Sequence, residues 1–262
     1  MTDVELMVRS SIQVFLADPT YPKPVAFGSA CMLVYLDRLF FVSVRHVTDI
    51  YGLTTFLETN LPTSDGMPLI KPVGGICTFD LLKVKSATKP HELIKMIEAL
   101  EKAISFDKKK KTHLDIAFAE IIPPIELLQP ELDFIAFKVE AGTKLPLYMD
   151  DTVVPEQSER YGFYGKIQQS YDDNDITLKI TPTLKHSLGY SHKVGDFYIF
   201  TAPDVIKSKE DYEGSSGAPI LDSQGRLVAL ACAVMVGTKV IYGFAIQKCK
   251  ELIDIALATG ML

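Results

Sequence analysis

Residues capable of nucleophilic chemistry stand far apart in this sequence. Ser216 lies in the run Gly214-Ser215-Ser216-Gly217, where glycines allow a tight turn that points the backbone N–H groups of Gly214 and Ser216 into one small space. A serine hydroxyl attacks a carbonyl when a base removes its proton and N–H donors stabilise the oxyanion that forms. The run is a candidate nucleophile with its donors, although glycine and serine also form ordinary turns.

A histidine and an aspartate are candidate partners for this serine. His46 follows a strand-like run over residues 39–44, which would deliver its imidazole to a strand end as a general base. Asp115 stands between Leu114 and Ile116 at the start of another strand, where burying an unpaired carboxylate would be costly. An imidazole N–H would satisfy this carboxylate and hold the histidine in one tautomer. Backbone amides of an Asx turn are the alternative partner.

The order of these residues separates the known designs of serine hydrolase. All five histidines precede Ser216, whereas an α/β-hydrolase needs a histidine after its serine. Ala218 also departs from the Gly-x-Ser-x-Gly pattern of that fold. A subtilisin order would place the acid before the histidine. The order His46, Asp115, Ser216 is that of chymotrypsin-like enzymes.

Short runs of β-branched and aromatic residues, separated by Gly, Pro, Asp and Asn, predict an all-β fold. The predicted strands span residues 11–16, 30–35, 39–44, 116–121, 176–180, 197–201, 227–234 and 240–246. Apolar residues at helical spacing predict an inserted helix over residues 91–105 and a C-terminal helix over residues 247–258. A stretch rich in Gly, Pro and Asp over residues 141–155 predicts the linker between two lobes.

Composition limits the class of protein and its partners. A net charge of −6 and a pI near 5.4 argue against nucleic acid and anionic membranes, because both require a basic surface. Asp37 and Arg38 interrupt the longest apolar stretch, so no membrane span is predicted. The four cysteines lack metal-ligand spacing, and we expect no metal site and no disulfide framework. Residues 1–7 carry no secretory signal, which predicts a cytoplasmic protein if the chain is the whole product.

The segments around the candidate residues resemble the trypsin-like serine peptidase family, and look closest to its bacterial, disulfide-free branch related to HtrA proteases. The similar segments are residues 28–30, 41–47, 114–118, 214–221 and 242–246. The resemblance implies two six-stranded antiparallel β-barrels, residues 1–140 and 141–262, with the active site between them. His46 and Asp115 would come from the first barrel and Ser216 from the second.

The sequence departs from the pattern of this family at several positions. Val44 and Arg45 replace small residues before the histidine, and Ala218 replaces a second glycine after the serine. Ser215 stands where the digestive enzymes have an aspartate that pairs with a newly cleaved N-terminus. An activation route of that kind is therefore not expected for this protein.

The resemblance also implies where a substrate would bind. An extended peptide would add as a strand along residues 231–235, with Ala231 and Ala233 as contacts. Glu210 lies six residues before Ser216, near the floor of the primary pocket of the family, where a carboxylate would favour a basic side chain.

These observations together predict a serine endopeptidase that cleaves proteins or peptides through an acyl-enzyme on Ser216, with no cofactor. A regulatory partner protein, an oligomeric state or loop ordering is expected to control a cytoplasmic peptidase of this kind. One alternative is a non-catalytic binding module on the same fold, which Arg45 and Ala218 favour. Another is an esterase that uses the same residues on non-peptide substrates.

Overall fold

The computed structural model describes residues 1–18, 20–62, 68–81, 112–134, 137–172 and 177–262. The predicted inserted helix over residues 91–105 lies outside these residues. Within them the chain is built mostly from antiparallel strands, in two groups. The all-β prediction is confirmed.

The first group of strands forms one continuous sheet. Its strands are β1 (Ile12–Asp18), β2 (Tyr21–Tyr35), β3 (Arg38–Ser43), β4 (Thr54–Pro62), β5 (Pro68–Pro72), β6 (Cys77–Leu81) and β7 (Thr112–Glu120). They pair in the order β5-β4-β1-β2-β3-β7-β6. The predicted first barrel is therefore a half-barrel in the described part of the chain, because β5 and β6 do not pair. β5 begins and ends at prolines, which lack an N–H donor and are typical of edge strands.

Short elements connect this sheet to the second group. They are β8 (Leu128–Gln129), β9 (Leu132–Phe134), β10 (Phe137–Val139), β11 (Gly142–Thr143), β12 (Leu147–Tyr148) and a 3₁₀ turn (Met149–Asp151). β12 pairs with β2 in parallel, and Leu147 and Met149 are buried in the core of the first sheet. The predicted linker over residues 141–155 thus begins while the chain still packs on that sheet.

The second group closes into a six-stranded barrel, as predicted. Its strands are β13 (Arg160–Asp172), β14 (Thr177–Val194), β15 (Phe197–Thr201), β16 (Pro219–Asp222), β17 (Leu227–Val234) and β18 (Val240–Ala245). The circular order is β13-β14-β15-β18-β17-β16. The core of this barrel contains the buried rings of Tyr161 and Phe200, which pack edge-on. The partly buried Tyr190 also packs edge-on against Phe200. An ion pair between Lys166 of β13 and Glu58 of β4 joins the barrel to the first sheet.

Helices lie at the two ends of the chain and after β3. The C-terminal helix α3 (Ile246–Ala258) confirms the predicted one and buries Cys249, Leu252, Ile253 and Ala256, which share one helical face. The sequence analysis did not predict the helix α1 (Asp3–Ser10). Its N-cap is Thr2, whose side chain accepts from the N–H of Glu5. A single turn, α2 (Arg45–Thr48), follows β3. No helix in the described ranges is long and apolar enough to cross a membrane.

Candidate active site

Strands β3 and β7 bring the candidate base and acid together. They are antiparallel neighbours in which Val42 pairs with Phe118 and Ser43 with Ala117. Phe41, Val42 and Phe118 are fully buried, so the register of the two strands is set by the core. His46 follows the end of β3 in the turn α2, and Asp115 lies two residues before Ala117. The two side chains therefore meet at one edge of the first sheet.

The imidazole of His46 is held by the carboxylate of Asp115. Nδ1 of His46 lies 2.9 Å from Oδ1 and 2.8 Å from Oδ2 of Asp115, and the backbone N–H of His46 donates to Oδ1 at 3.1 Å. Burial acts to raise the pKa of Asp115. The hydrogen bonds that His46 donates, and the attraction to a protonated His46, outweigh burial and lower this pKa below its usual value. An ionised carboxylate can only accept, so the neutral imidazole carries its proton on Nδ1 and its lone pair on Nε2.

Ser216 lies in a tight turn between β15 and β16. The backbone of this turn takes positive φ at two glycines, +100° at Gly214 and +90° at Gly217. A Cβ atom on Gly217 would lie 1.9 Å from the carbonyl oxygen of Ser29 and 2.4 Å from Oγ of Ser43. Only glycine fits both this backbone conformation and this close approach.

Two serines of the first sheet hold this turn in place. The N–H of Ser29 donates to the Ser216 carbonyl at 2.7 Å, and Oγ of Ser29 donates to the Gly214 carbonyl at 2.8 Å. Oγ of Ser43 donates to the Ser29 carbonyl at 2.7 Å. Both serines are buried, so these bonds are shielded from water. Sequence reasoning missed this role, because Ser29 and Ser43 look like ordinary strand residues.

The residues around Ser216 differ in whether their N–H groups are engaged. The Ser215 N–H donates to the Tyr212 carbonyl and the Gly217 N–H donates to the Ala231 carbonyl. Among the residues that the structure describes, no acceptor binds the N–H of Gly214 or Ser216. These are the two donors that the sequence predicted for an oxyanion.

A cavity of about 460 Å³ contacts all three candidate residues. His46, Asp115, Ser216 and Cys232 are all among its lining residues. The Ser216 hydroxyl donates to the Cys232 carbonyl at 3.1 Å. Within the described ranges it makes no hydrogen bond with His46. The structure thus pairs His46 with Asp115 and places Ser216 in the same cavity, with its hydroxyl turned toward β17.

The remaining predicted contacts lie in two places. Ala231 and Ala233 line the cavity that holds Ser216, together with apolar neighbours such as Phe163 and Ile241. Glu210 is exposed and lines a neighbouring depression, which shares Ala26, Phe27 and Glu213 with the cavity at Ser216. Its backbone N–H donates to Oγ of Ser208. Glu210 therefore does not form the floor of the cavity at Ser216.

Two of the departures from the family pattern, Arg45 and Ala218, are engaged in hydrogen bonds with other residues. Arg45 turns away from His46, pairing with Asp49 at 2.7 Å and donating to the Phe79 carbonyl. Ala218 is fully buried, and its N–H and carbonyl are both engaged, with Ser215 and Ala231 respectively.

Comparison with known proteins identifies the fold. No protein-family model and no curated protein sequence matches this chain. The serine endoprotease from Yersinia pestis has a similar structure, with a TM-score of 0.50 and 12% identity over 98% of this chain and 66% of that one. Deg5 gives a TM-score of 0.47 at 13% identity, covering 95% of this chain and 89% of that one. The MamO protease domain from Magnetospirillum magneticum gives 0.44 at 13% identity, covering 94% and 96%. The chain has a chymotrypsin-like fold, with one closed barrel and one half-barrel in its described residues.

Proposed function

We propose that this protein is a serine endopeptidase in which Ser216 is the nucleophile, His46 the general base and Asp115 the residue that orients His46. The observation that carries the proposal is the hydrogen bond between Nδ1 of His46 and the Asp115 carboxylate in the cavity that Ser216 lines. This contact leaves the basic Nε2 atom of His46 to take a proton.

The reaction would proceed in two halves. Nε2 of His46 takes the Ser216 proton as Oγ bonds to the scissile carbonyl carbon, and the resulting oxyanion accepts from the N–H groups of Gly214 and Ser216. Collapse of this intermediate breaks the C–N bond, and His46 gives its proton to the leaving amine. Water, activated by His46, then hydrolyses the ester on Ser216. The Ser216 hydroxyl must first rotate about its Cα–Cβ bond, away from the Cys232 carbonyl.

A non-catalytic binding module is the main rival, and the local geometry disfavours it. Arg45 and Ala218 favour it in the sequence, but Arg45 is engaged with Asp49, and Ala218 is hydrogen-bonded to Ser215 and Ala231. A binding module would also have no need of two unengaged N–H donors on either side of Ser215. An esterase would use the same residues, and it would differ from a peptidase in preferring non-peptide esters over peptides.

Labelling with a small fluorophosphonate tests the nucleophile. We expect stoichiometric modification of the folded protein, located at Ser216 by mass spectrometry and abolished in Ser216→Ala. Ser215→Ala is the matched control, because Ser215 is the neighbouring serine and is buried. We expect this variant to be labelled as the wild type is. A folded wild-type protein that remains unlabelled would exclude the enzyme.

The lining of the cavity predicts the preferred side chain before the scissile bond. Most of its walls are apolar, Asp115 is engaged with His46, and the charged residues Lys209 and Glu213 carry opposite signs. An arginine there would lose hydration without an unopposed carboxylate to pair with. Peptides that differ only at this residue should be cleaved with Leu favoured over Arg by about tenfold or more in kcat/KM. A preference for Arg would show that Glu213 pairs with the substrate in spite of Lys209.

A further inference from the structure

A second cavity, of about 390 Å³, is lined in part by the loop that leads to Ser216. Its apolar walls include Leu188 and Ile206, which are both buried. The backbone of Ile206 is fixed to the turn between β17 and β18, because it donates to the Thr238 carbonyl at 2.7 Å and accepts from the Gly237 N–H at 2.9 Å. A wall held in this way gives a cavity that is formed before any ligand arrives.

Charged side chains of both signs line this second cavity. Lys185 and Lys207 contribute positive charges, and Asp204 and Asp211 contribute negative ones. Neither Lys185 nor Asp211 forms an ion pair with any residue that the structure describes, and the ammonium of Lys185 lies over the ring of Tyr212, 4.4 Å from its centroid. Burial lowers the pKa of Lys185, and the charge of Asp211 acts in the opposite direction. An acidic and a basic group therefore lie near each other in a partly apolar cavity.

These charges favour a ligand that carries both signs. A simple carboxylate would be attracted by Lys185 but repelled by Asp211, and a simple amine would meet the reverse. The ammonium and the carboxylate of an α-amino acid are bonded to one carbon atom, which suits two protein groups that lie near each other. The aliphatic walls suit a branched apolar side chain such as that of leucine.

Tyr212 connects this cavity to the candidate active site, because it lines both cavities. Its carbonyl accepts from the Ser215 N–H at 2.9 Å, and its own N–H donates to the Lys209 carbonyl at 3.0 Å. These bonds hold the chain directly before the N–H donors of Gly214 and Ser216. A ligand packed against Tyr212 would restrict this segment and favour the arrangement in which both donors are unengaged.

We propose that the second cavity binds a free aliphatic α-amino acid, with its carboxylate on Lys185 and its ammonium on Asp211, and that the bound ligand raises the reactivity of Ser216 through Tyr212. The binding site goes beyond the proposed peptidase function, and only its effect on Ser216 rests on that function. The amino acid would act as a regulator that is neither substrate nor cofactor.

Calorimetric titration of the wild-type protein with three related ligands tests the class of ligand. Leucine carries both charges, 4-methylpentanoate lacks the ammonium, and leucinamide lacks the carboxylate. We expect each loss to raise the dissociation constant by about tenfold or more, the range for hydrogen bonds to charged groups. The site is refuted if leucine fails to bind, or if it binds no more tightly than the two analogues.

Variants of the two charged residues locate the ligand. Lys185→Gln and Asp211→Asn should each weaken leucine binding by about tenfold. The matched control is Lys193→Gln, because Lys193 lies on the same strand β14 and over a tyrosine ring, that of Tyr198 at 5.5 Å, but does not line the cavity. This variant should bind leucine as the wild type does. Equal weakening in all three variants would contradict a direct contact with Lys185 and Asp211.

Labelling of Ser216 by the fluorophosphonate measures the coupling between the two cavities. Saturating leucine should raise the labelling rate of the wild type by about fivefold, the lower end of the usual range for allosteric coupling. In Lys185→Gln the same increase should require about tenfold more leucine. An unchanged rate with leucine bound would overturn the coupling through Tyr212. If Ser216 is not labelled with or without leucine, the peptidase function fails, and calorimetry still decides whether the second cavity binds the amino acid.

Discussion

Replacing Asp115 by Asn should lower kcat/KM for peptide cleavage by about three to four orders of magnitude, the effect known for this change in the serine protease template. Asparagine keeps the shape of the side chain but can donate its amide N–H to Nδ1 of His46. The imidazole would then carry its proton on Nε2, where it cannot accept the proton of Ser216. Steady-state cleavage of the best Leu-containing peptide measures the loss, with thermal unfolding to verify the fold.

The matched control for this variant is Asp49→Asn. Asp49 lies three residues from His46 and pairs with Arg45, so its replacement removes the same charge close to the site. Its side chain is half-exposed, and the free energy of such an ion pair is small. We expect activity within about twofold of the wild type, in keeping with this small energy. If Asp115→Asn and Asp49→Asn had equal effects, Asp115 would act only through its charge and would not orient His46.

Replacing Gly217 by Ala should lower the free energy of unfolding by about 3 kcal/mol or more. The backbone at Gly217 has a φ of +90°, which is strained for any L side chain. The new methyl group would also overlap the Ser29 carbonyl oxygen at 1.9 Å, and this oxygen cannot yield because Ser43 donates to it. Urea unfolding followed by fluorescence or circular dichroism measures the change.

Gly237→Ala separates the clash from the strain. Gly237 has a similar φ of +81°, but nothing lies within 4 Å of the Cβ position. Its replacement should cost only the backbone penalty of about 1–2 kcal/mol. Equal losses in the two variants would mean that the turn around Ser216 can move away from Ser29, and that the first sheet does not hold it.

Local patterns in the sequence were sufficient for much of the fold. The strands over residues 197–201, 227–234 and 240–245 and the C-terminal helix follow from apolar periodicity and turn residues, because each strand or helix has its own period. The closure of the second barrel was implied by the family resemblance. The first sheet stays open in the described residues, a detail that becomes visible only once the strand neighbours are known. Helix α1 has acidic residues early and a capping Thr2, but its apolar pattern is too short to stand out.

The candidate residues can be chosen from the sequence alone, since the order His46, Asp115, Ser216 and the glycines around the serine are local facts. Their contacts with one another follow from the fold. The pairing of β3 with β7 brings Asp115 to His46 across 69 residues, and Ser29 fastens the Ser216 turn from another sheet. Glu210, which was predicted near the pocket floor, lines a neighbouring depression, and the Cys232 carbonyl accepts from Ser216. Such contacts depend on strand register and on packing between distant segments, and these are properties of the whole chain that no local pattern encodes.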